Sequence, residues 1–385
     1  MFFLKLIAKN AFRHRLRTGL TVLGIIVAIL AFGLLRTIVH AWYAGVDATS
    51  TARLVTRNAI SLVFPLPITY ANKIRQIPGV TSITYASWFG GIYISEKNFF
   101  PQFAVDPLSY FDIYPEFVLP EAEKKAFLLD RKGTVVGRKL AQEYGWNIGD
   151  VVPLRGTIYP GNWDFVVRGI YDGVDQKTDQ SQFFFQWHYL NETLRKSNPG
   201  RAEHVGVYIL RLADPALAPG VGTEVDIQFN NSLAETLTET EKAFQLGFVS
   251  MTEAILIAIQ LVSFVVIIII MAVMANTMAM SARERMGEFA TLKAMGFPPA
   301  YVVRLIFGES LVIAIAGGVV AIALTFPVAT AFAERMGTLF PIFYVSIETV
   351  ALQVTAALLV GSVAAMIPAW RIATVRIVDG LRSFG

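Results

Sequence analysis

The sequence predicts a membrane protein with four transmembrane α-helices and a large α+β extracytoplasmic domain, the latter an α/β base with a β-rich insertion. Three observations carry this prediction. Apolar residues make up 54% of the 385-residue chain and its mean hydropathy is +0.52, whereas soluble domains stay near ~45–50% apolar even with glycine counted. Four runs lack charge over the ~20 residues that a helix needs to cross a ~30 Å hydrocarbon core. Between the first and second runs, residues 44–250 mix strand-like and helix-like patterns.

The first span is assigned to residues 18–43. Before it, Phe3, Leu6, Ile7, Phe12 and Leu16 recur at roughly helical spacing among Lys5, Lys9, Arg13, Arg15 and Arg17. Residues 1–17 therefore read as a cytoplasmic amphipathic helix on the inner leaflet, a role compatible with a flank that simply sets topology. The apolar run exceeds the ~7–15 residues of a signal-peptide core and no small-x-small site follows, so it reads as an anchor.

The second span covers residues 251–281. Its uncharged run, 254–282, would extend about 43 Å as a helix, so tilt or a protruding end is expected. The third span, 301–333, holds Arg304 and Glu309 in its first turns and Pro327 as an expected kink. An outer loop, 334–348, leads to the fourth span, 349–370, and a cytoplasmic tail, 371–385. Arg36 and Glu309 lie inside apolar runs but near enough to an interface to snorkel.

Lys and Arg in the flanks give the orientation. They precede the first span, recur between the second and third as Arg283, Arg285, Lys293 and Arg304, and follow the fourth as Arg371, Arg376 and Arg382. The outer loop holds only Arg335. Both termini and the middle loop are expected in the cytoplasm, with residues 44–250 outside, in a bacterial inner membrane.

Within 282–300, helix formers run to Gly296, where a C-terminal cap belongs, followed by Pro298 and Pro299. Phe289, Leu292 and Met295 can share one face, and Arg283, Glu284, Arg285, Glu288 and Lys293 supply charge of both signs. An apolar face this close to the membrane suits partner docking, with interfacial anchoring as the plainer role.

In the large domain, residues 54–63 and 80–94 read as strands around a helix opened by Pro67 and stopped near Pro78 and Gly79. Strands are also expected at 134–136, 164–171, 182–187, 204–212 and 226–229, with a short helix at 138–144. From 233 to 255, Leu233, Leu237, Phe244, Phe248, Met251 and Ile255 approximate a three-four spacing broken at Thr240. This reads as one helix running into the second span, packed either on its own domain or, as a stalk, on a second protomer. Ala275 and Ala279 form a small-xxx-small pair in that span. The aromatic clusters Trp88-Phe89, Phe99-Phe100 and Phe183 to Phe185 read as core, with contact to a lipophilic ligand as the alternative.

Several chemistries are excluded. With no cysteine, disulfides, zinc thiolate sites and thiol catalysis cannot occur. The only approximation to a phosphate-binding loop, GTVVGRK from Gly133 to Lys139, has the wrong spacing. The histidines His14, His40, His188 and His204 lack ligand spacing, and no GxSxG motif occurs. The formal charge of +4 arises beside apolar runs and not on a basic module, so no nucleic acid is expected.

The segment from Arg283 to Gly296, continuing as YVVRLIFGESLVIAIAGGVVAIAL, resembles the signature region of MacB/FtsX-type ABC transporter permeases. The ending PAWRIATVRIVDGLRSFG and the opening NAFRHRLRTGLTVLGI are similar to that family's end and start. KAFLLDRKGTVVGRKLAQEYGWNIGDVV followed by WDFVVRGIYDG is more weakly similar to its periplasmic core domain. The resemblance implies a coupling helix at about 283–296 seated on a separate cytoplasmic ABC ATPase, with Arg283, Glu284, Glu288, Phe289, Leu292 and Lys293 as contacts. It implies no cofactor in this chain, since ATP and Mg bind the ATPase, and no enzyme activity of its own. It further implies a homo- or heterodimer joined in part through Leu233, Leu237, Phe244, Phe248, Ala275 and Ala279, contact with membrane lipids, and a periplasmic adaptor and outer-membrane component. The expected function is mechanotransmission, for export or extraction of a lipid, lipoprotein, drug or peptide. The alternatives are an FtsX-like regulator of a periplasmic hydrolase and a membrane-anchored scaffold without ATPase.

Overall fold

The computed structural model describes residues 7, 9–47, 49–175, 177–336, 340 and 342–374. Of the amphipathic helix expected over 1–17, residues 1–6 and 8 lie outside the described residues, as does the tail from 375. The described part turns at 12–14 before the first long helix starts at Arg15, so 1–17 is not one continuous helix. The chain divides into two compact units. One comprises the described residues of Met1–Ala41, Glu253–Arg335 and Phe343–Gly385; the other comprises those of Trp42–Thr252 and Met336–Ile342.

The first unit is helical. Its long helices are Arg15–Asp47, Glu253–Glu284, Pro299–Met336 and Ile347–Thr374, all long and apolar enough to cross a membrane. Glu253–Glu284 buries Ser263, Ile267, Ile270, Met274, Met278 and Ala282, a three-four spacing that forms one stripe. Its other faces leave Leu261, Phe264, Ile268 and Ile269 exposed, as a helix surrounded by lipid requires. Small residues let the third and fourth spans approach closely. A Cβ on Gly361 would lie 2.8 Å from that of Ala314, and one on Gly318 would lie 2.8 Å from that of Ala357. Pro327 sits inside the third long helix. Gln353 is fully buried among these helices and donates from Nε2 to the Ile29 carbonyl (3.0 Å) and Thr325 Oγ1 (2.8 Å).

The second unit is built on an eleven-stranded mixed sheet. Its strands are β1 (Arg53–Asn58), β3 (Val80–Trp88), β4 (Gly91–Ile92), β5 (Gln102–Val105), β6 (Phe117–Val118), β7 (Gly133–Gly137), β8 (Val151–Gly156), β9 (Gly161–Gly173), β10 (Phe183–Gln186), β12 (Val207–Leu212) and β13 (Thr236–Thr240). The order is β13-β1-β12-β3-β5-β10-β7-β9-β8-β4, with β6 pairing β9. A separate small ladder joins β2 (Leu66–Pro67) to β11 (His204–Val205). β5–β10 and β7–β9 are parallel and the remaining pairs antiparallel. β1 and β3 both pair antiparallel with β12, so the expected βαβ-like start is split by a strand from the far end of the domain.

β10 shows how the core is made. Phe183 and Phe185 point to one side of the sheet and Phe184 to the other, and all three are fully buried. Such a strand is covered on both faces, which is why it reads as a continuous apolar run. Phe89 and Phe100 join the same core, whereas Trp88 and Phe99 are exposed.

Three expectations are corrected. Residues 226–229 are not a strand; Asp226 to Gln228 finish the helix Ala218–Gln228, which buries Val221 and Val225 one turn apart. Residues 233–255 are not one helix. Thr236–Thr240 is the strand β13, the helix Glu241–Ser250 follows, and turn residues Met251 and Thr252 separate it from Glu253–Glu284. The alternation of threonines in TLTET favours an extended backbone, and pairing with β1 fixes it. Thr240 then caps the next helix by accepting from the Ala243 amide. Finally, the strand expected over 80–94 breaks at Gly90, whose φ of +64° suits a residue without a Cβ.

Candidate functional site: the Met286–Ala294 helix and its anchors

After Glu284 ends the second long helix, Arg285 leaves helical geometry and a separate helix forms from Met286 to Ala294. Gly296, at φ +92°, ends it. The Phe297 amide donates back to the Leu292 carbonyl at 3.1 Å, the six-to-one bond that closes such a terminus. The local sequence thus sets the length of the helix.

Its charges are paired within its own chain. The Arg285 side chain is 7% exposed, and its Nη1 lies 2.7 Å from both carboxylate oxygens of Glu309, itself 5% exposed on the third long helix. Arg285 Nε donates to Glu288 at 3.0 Å, and its guanidinium stands 5.0 Å from the Phe289 ring centroid. Glu288 also accepts from Arg13 at 2.6 Å. Glu284 takes a two-pronged contact from Arg17 at 2.9 and 2.6 Å. Lys293 Nζ donates to the carbonyls of Ile372 (2.6 Å) and Ala373 (3.1 Å) at the end of the fourth long helix, where the helix dipole favours a cation.

The electrostatics follow from this packing. Burial opposes the Arg285 charge, yet the carboxylates of Glu309 and Glu288 hold its pKa above the ordinary arginine value. Partial burial would raise Glu288, but hydrogen bonds from Arg13 and Arg285 leave it below the usual carboxylate range. Burial lowers Lys293.

Of the residues expected to contact a partner, Arg283 is exposed, and Glu284 and Glu288 are exposed but ion-paired. Leu292 is half-buried against the helical core, and Lys293 is half-buried. Phe289 is the correction. At 2% exposure it belongs to the core of the helical unit and presents no face outward. The outward surface is instead Thr291, Ala294, Met295 and Phe297, the last two 63% and 41% exposed. The snorkelling expected of Glu309 is also corrected, because its carboxylate turns inward to Arg285. Arg36 has Glu348, at the start of the fourth long helix, 3.9 Å away.

The stalk residues do not form one seam. Leu233 is fully exposed in the loop before β13, and Leu237 is on β13 itself. Phe244 and Phe248 meet edge to face at 5.1 Å on Glu241–Ser250. Ala275 and Ala279 are half-buried on the second long helix. Among the described residues, no group of three or more His, Asp and Glu is placed to hold a metal.

Comparison with known families bears on both units. The model of the FtsX-like permease C-terminal region matches residues 260–377, which include the short helix and all its anchors except Arg13 and Arg17. The MacB-like periplasmic core domain matches residues 18–226, more than half of the chain. The chain belongs to the MacB/FtsX-type ABC transporter permeases.

This permease is 24% identical over 406 residues to an uncharacterized ABC transporter permease of Methanocaldococcus jannaschii, covering 97% of this chain and 96% of that one. It is also 24% identical over 197 residues to an uncharacterized ABC transporter permease protein of Mycobacterium tuberculosis, covering 51% of this chain and 22% of that protein. Among solved structures it is similar to the extracellular domain of the noncanonic ABC-type transporter YknZ from Gram-positive bacteria, at TM-score 0.36 and 11% identity over 49% of this chain and all of that one. The periplasmic region of MacB from Actinobacillus actinomycetemcomitans gives TM-score 0.36 and 12% identity over 53% of this chain and 95% of that one.

Proposed function

We propose that this permease converts ATP hydrolysis by a separate cytoplasmic ABC ATPase into movement of its α/β unit. The short helix Met286–Ala294 is the input. One observation carries the reading: every charged anchor of that helix is paired within the chain, while Met295 and Phe297, on either side of Gly296, stay exposed. An apolar tip on an ionically fastened helix suits insertion into an apolar cleft on a partner, because little charge has to be desolvated.

The fastening makes displacement of the helix consequential. Glu309 sits on the third long helix, Ile372 and Ala373 on the fourth, and Arg13, which meets Glu288, lies just before the first. Pushing the short helix therefore pulls on all three. The apolar core of the helical unit is made of Ile, Leu, Val, Phe, Met and Ala side chains, and the buried polar Gln353, Ser310 and Thr325 are hydrogen-bonded within the bundle, which supports a lever and not a polar conduit. The Lys and Arg distribution supports an inner-membrane location with both termini and the short helix in the cytoplasm. On this reading ATP and Mg are bound by the ATPase, the permease works as a homo- or heterodimer, and a lipophilic substrate is handled on the outer side, with a periplasmic adaptor as a further partner.

The test is replacement of Met295 and Phe297 by Asp, followed by co-purification with the cognate ATPase in detergent. Binding is expected to fall by more than tenfold, in line with ~2 kcal/mol or more for a hot-spot residue. Exposed Arg283→Ala serves as the weaker comparison. Unchanged co-purification of the Met295→Asp/Phe297→Asp variant would sink the docking assignment.

A further inference from the structure

Arg53 opens β1, shortly after the helix Arg15–Asp47 ends. Its side chain is 5% exposed and every arm of it is used. Nε donates to Glu241 at 2.6 Å. Nη1 donates to the Ile113 carbonyl at 3.2 Å and to Glu116 at 3.1 Å, and Nη2 donates to Glu116 at 2.6 Å. The guanidinium carbon stands 4.3 Å from the centroid of the Tyr114 ring. Glu241, only 8% exposed at its side chain, also accepts from the Ser50 amide at 3.2 Å.

These contacts join three pieces of chain. Ser50 to Arg53 is the connection that follows the first long helix. Glu241 begins the last helix before the second one. Ile113 to Glu116 belongs to a strap crossing one face of the sheet, in which Phe111 and Phe117 meet Phe184 of β10 at 5.8 and 5.2 Å, and Phe117 meets Tyr171 of β9 at 4.9 Å. In the sheet β1 stands second and β9 eighth. One guanidinium thus ties both chain connections to a segment packed on the opposite half of the sheet. A planar five-donor fork can serve both carboxylates and a carbonyl together, whereas a lysine ammonium cannot reach all of them.

We propose that Arg53 is a positioning residue that locks the two chain connections of the α/β unit to each other and to the Ile113–Glu116 strap, so that displacement at either connection moves the whole sheet. The role in transmission rests on the function proposed above; the lock itself does not. β1 and β13 are paired as far as Leu54 and Thr240; beyond that last ladder pair, without the lock the two connections could move independently, and a pull on one would be absorbed locally.

The chain has no cysteine, so paired labels can be placed cleanly. Spin labels at Thr51→Cys and Lys242→Cys, both exposed positions, report the separation of the two connections in the full-length permease. The unsubstituted clamp should give a single narrow distance distribution, identical with and without the ATP-loaded ATPase. Arg53→Gln and Arg53→Lys should each lose the narrow peak, Lys serving where Gln does not fold. The triple variant R53M/E116Q/E241Q removes the buried charges together, which can restore stability, but should not restore the narrow peak. A narrow peak in folded Arg53→Gln or in the triple variant would overturn the lock, since packing alone would then hold the connections. A shift of the peak with ATP would overturn rigid transmission. Failure of any ATPase to bind would refute the proposed function and leave the nucleotide-free comparison intact.

Discussion

Arg285 and Glu309 show how much rests on single side chains. Each is nearly inaccessible, and each supplies most of the other's compensation. Replacing one partner of such a pair leaves an uncompensated buried charge, at a cost of about 3–5 kcal/mol. Glu309→Gln is therefore expected to lower the thermal unfolding midpoint of the detergent-solubilised permease markedly. The double variant Arg285→Met/Glu309→Gln should recover much of the loss, because it removes the stranded charge; a double variant as unstable as the single one would contradict the pairing. Sequence reasoning noticed Glu309 as a charge inside an apolar run but could not name its partner. A carboxylate near the end of a span can reach water or a neighbour, and only packing separates the two.

At the scale of elements, the informative contrast is between β10 and β13. β10 is legible because Phe-Phe-Phe is apolar on both faces, as a central strand must be. Phe184 alone meets the rings of Phe103, Tyr110, Phe111, Phe117 and Tyr171. Phe184→Ala should cost about 3–5 kcal/mol, measurable as faster proteolysis of the α/β unit in the full-length chain; a cost below about 1 kcal/mol would mean that the cluster closes over the cavity. β13 was masked by an apolar spacing that mimics a helix. Leu233 and Leu237 match the helical repeat, but Leu237 lies in a strand bonded to β1 and Leu233 in a loop. The outer edge of that strand is not open, because the Thr238 amide donates to Asp226 on the helix Ala218–Gln228.

For the whole molecule, the permease C-terminal family region covers most of the second long helix and all of the third and fourth, and the periplasmic core region covers most of the first long helix and most of the α/β unit. The proposed function depends on which side of the membrane each unit faces. The exposed apolar loop at Ile60, Val63 and Phe64 belongs to the α/β unit, and Met295 belongs to the helical unit beyond the second span. Single cysteines at Phe64 and Met295 give a direct test in intact cells. A membrane-impermeant maleimide is expected to label Phe64→Cys in intact spheroplasts and Met295→Cys only after permeabilisation. Labelling of Met295→Cys from outside would reverse the topology, and with it the assignment of the short helix to a cytoplasmic ATPase.

The four long apolar helices could be recognised from composition because hydropathy is a sum over neighbours in sequence. The stop at Gly296, the helix over 138–144 and the runs forming β9 and β10 were legible for the same reason, each being set by local backbone preference or side-chain periodicity. What remained hidden joins residues far apart: Arg53 to Glu241 across 188 positions, Arg13 to Glu288 across 275, and Gln353 to Ile29 across 324. Folding alone turns Phe289 inward and leaves Met295 and Phe297 outward, because the face a short helix buries depends on which helices surround it. Local patterns give the permease its parts, and long-range ion pairs and packing fix how those parts are fastened together.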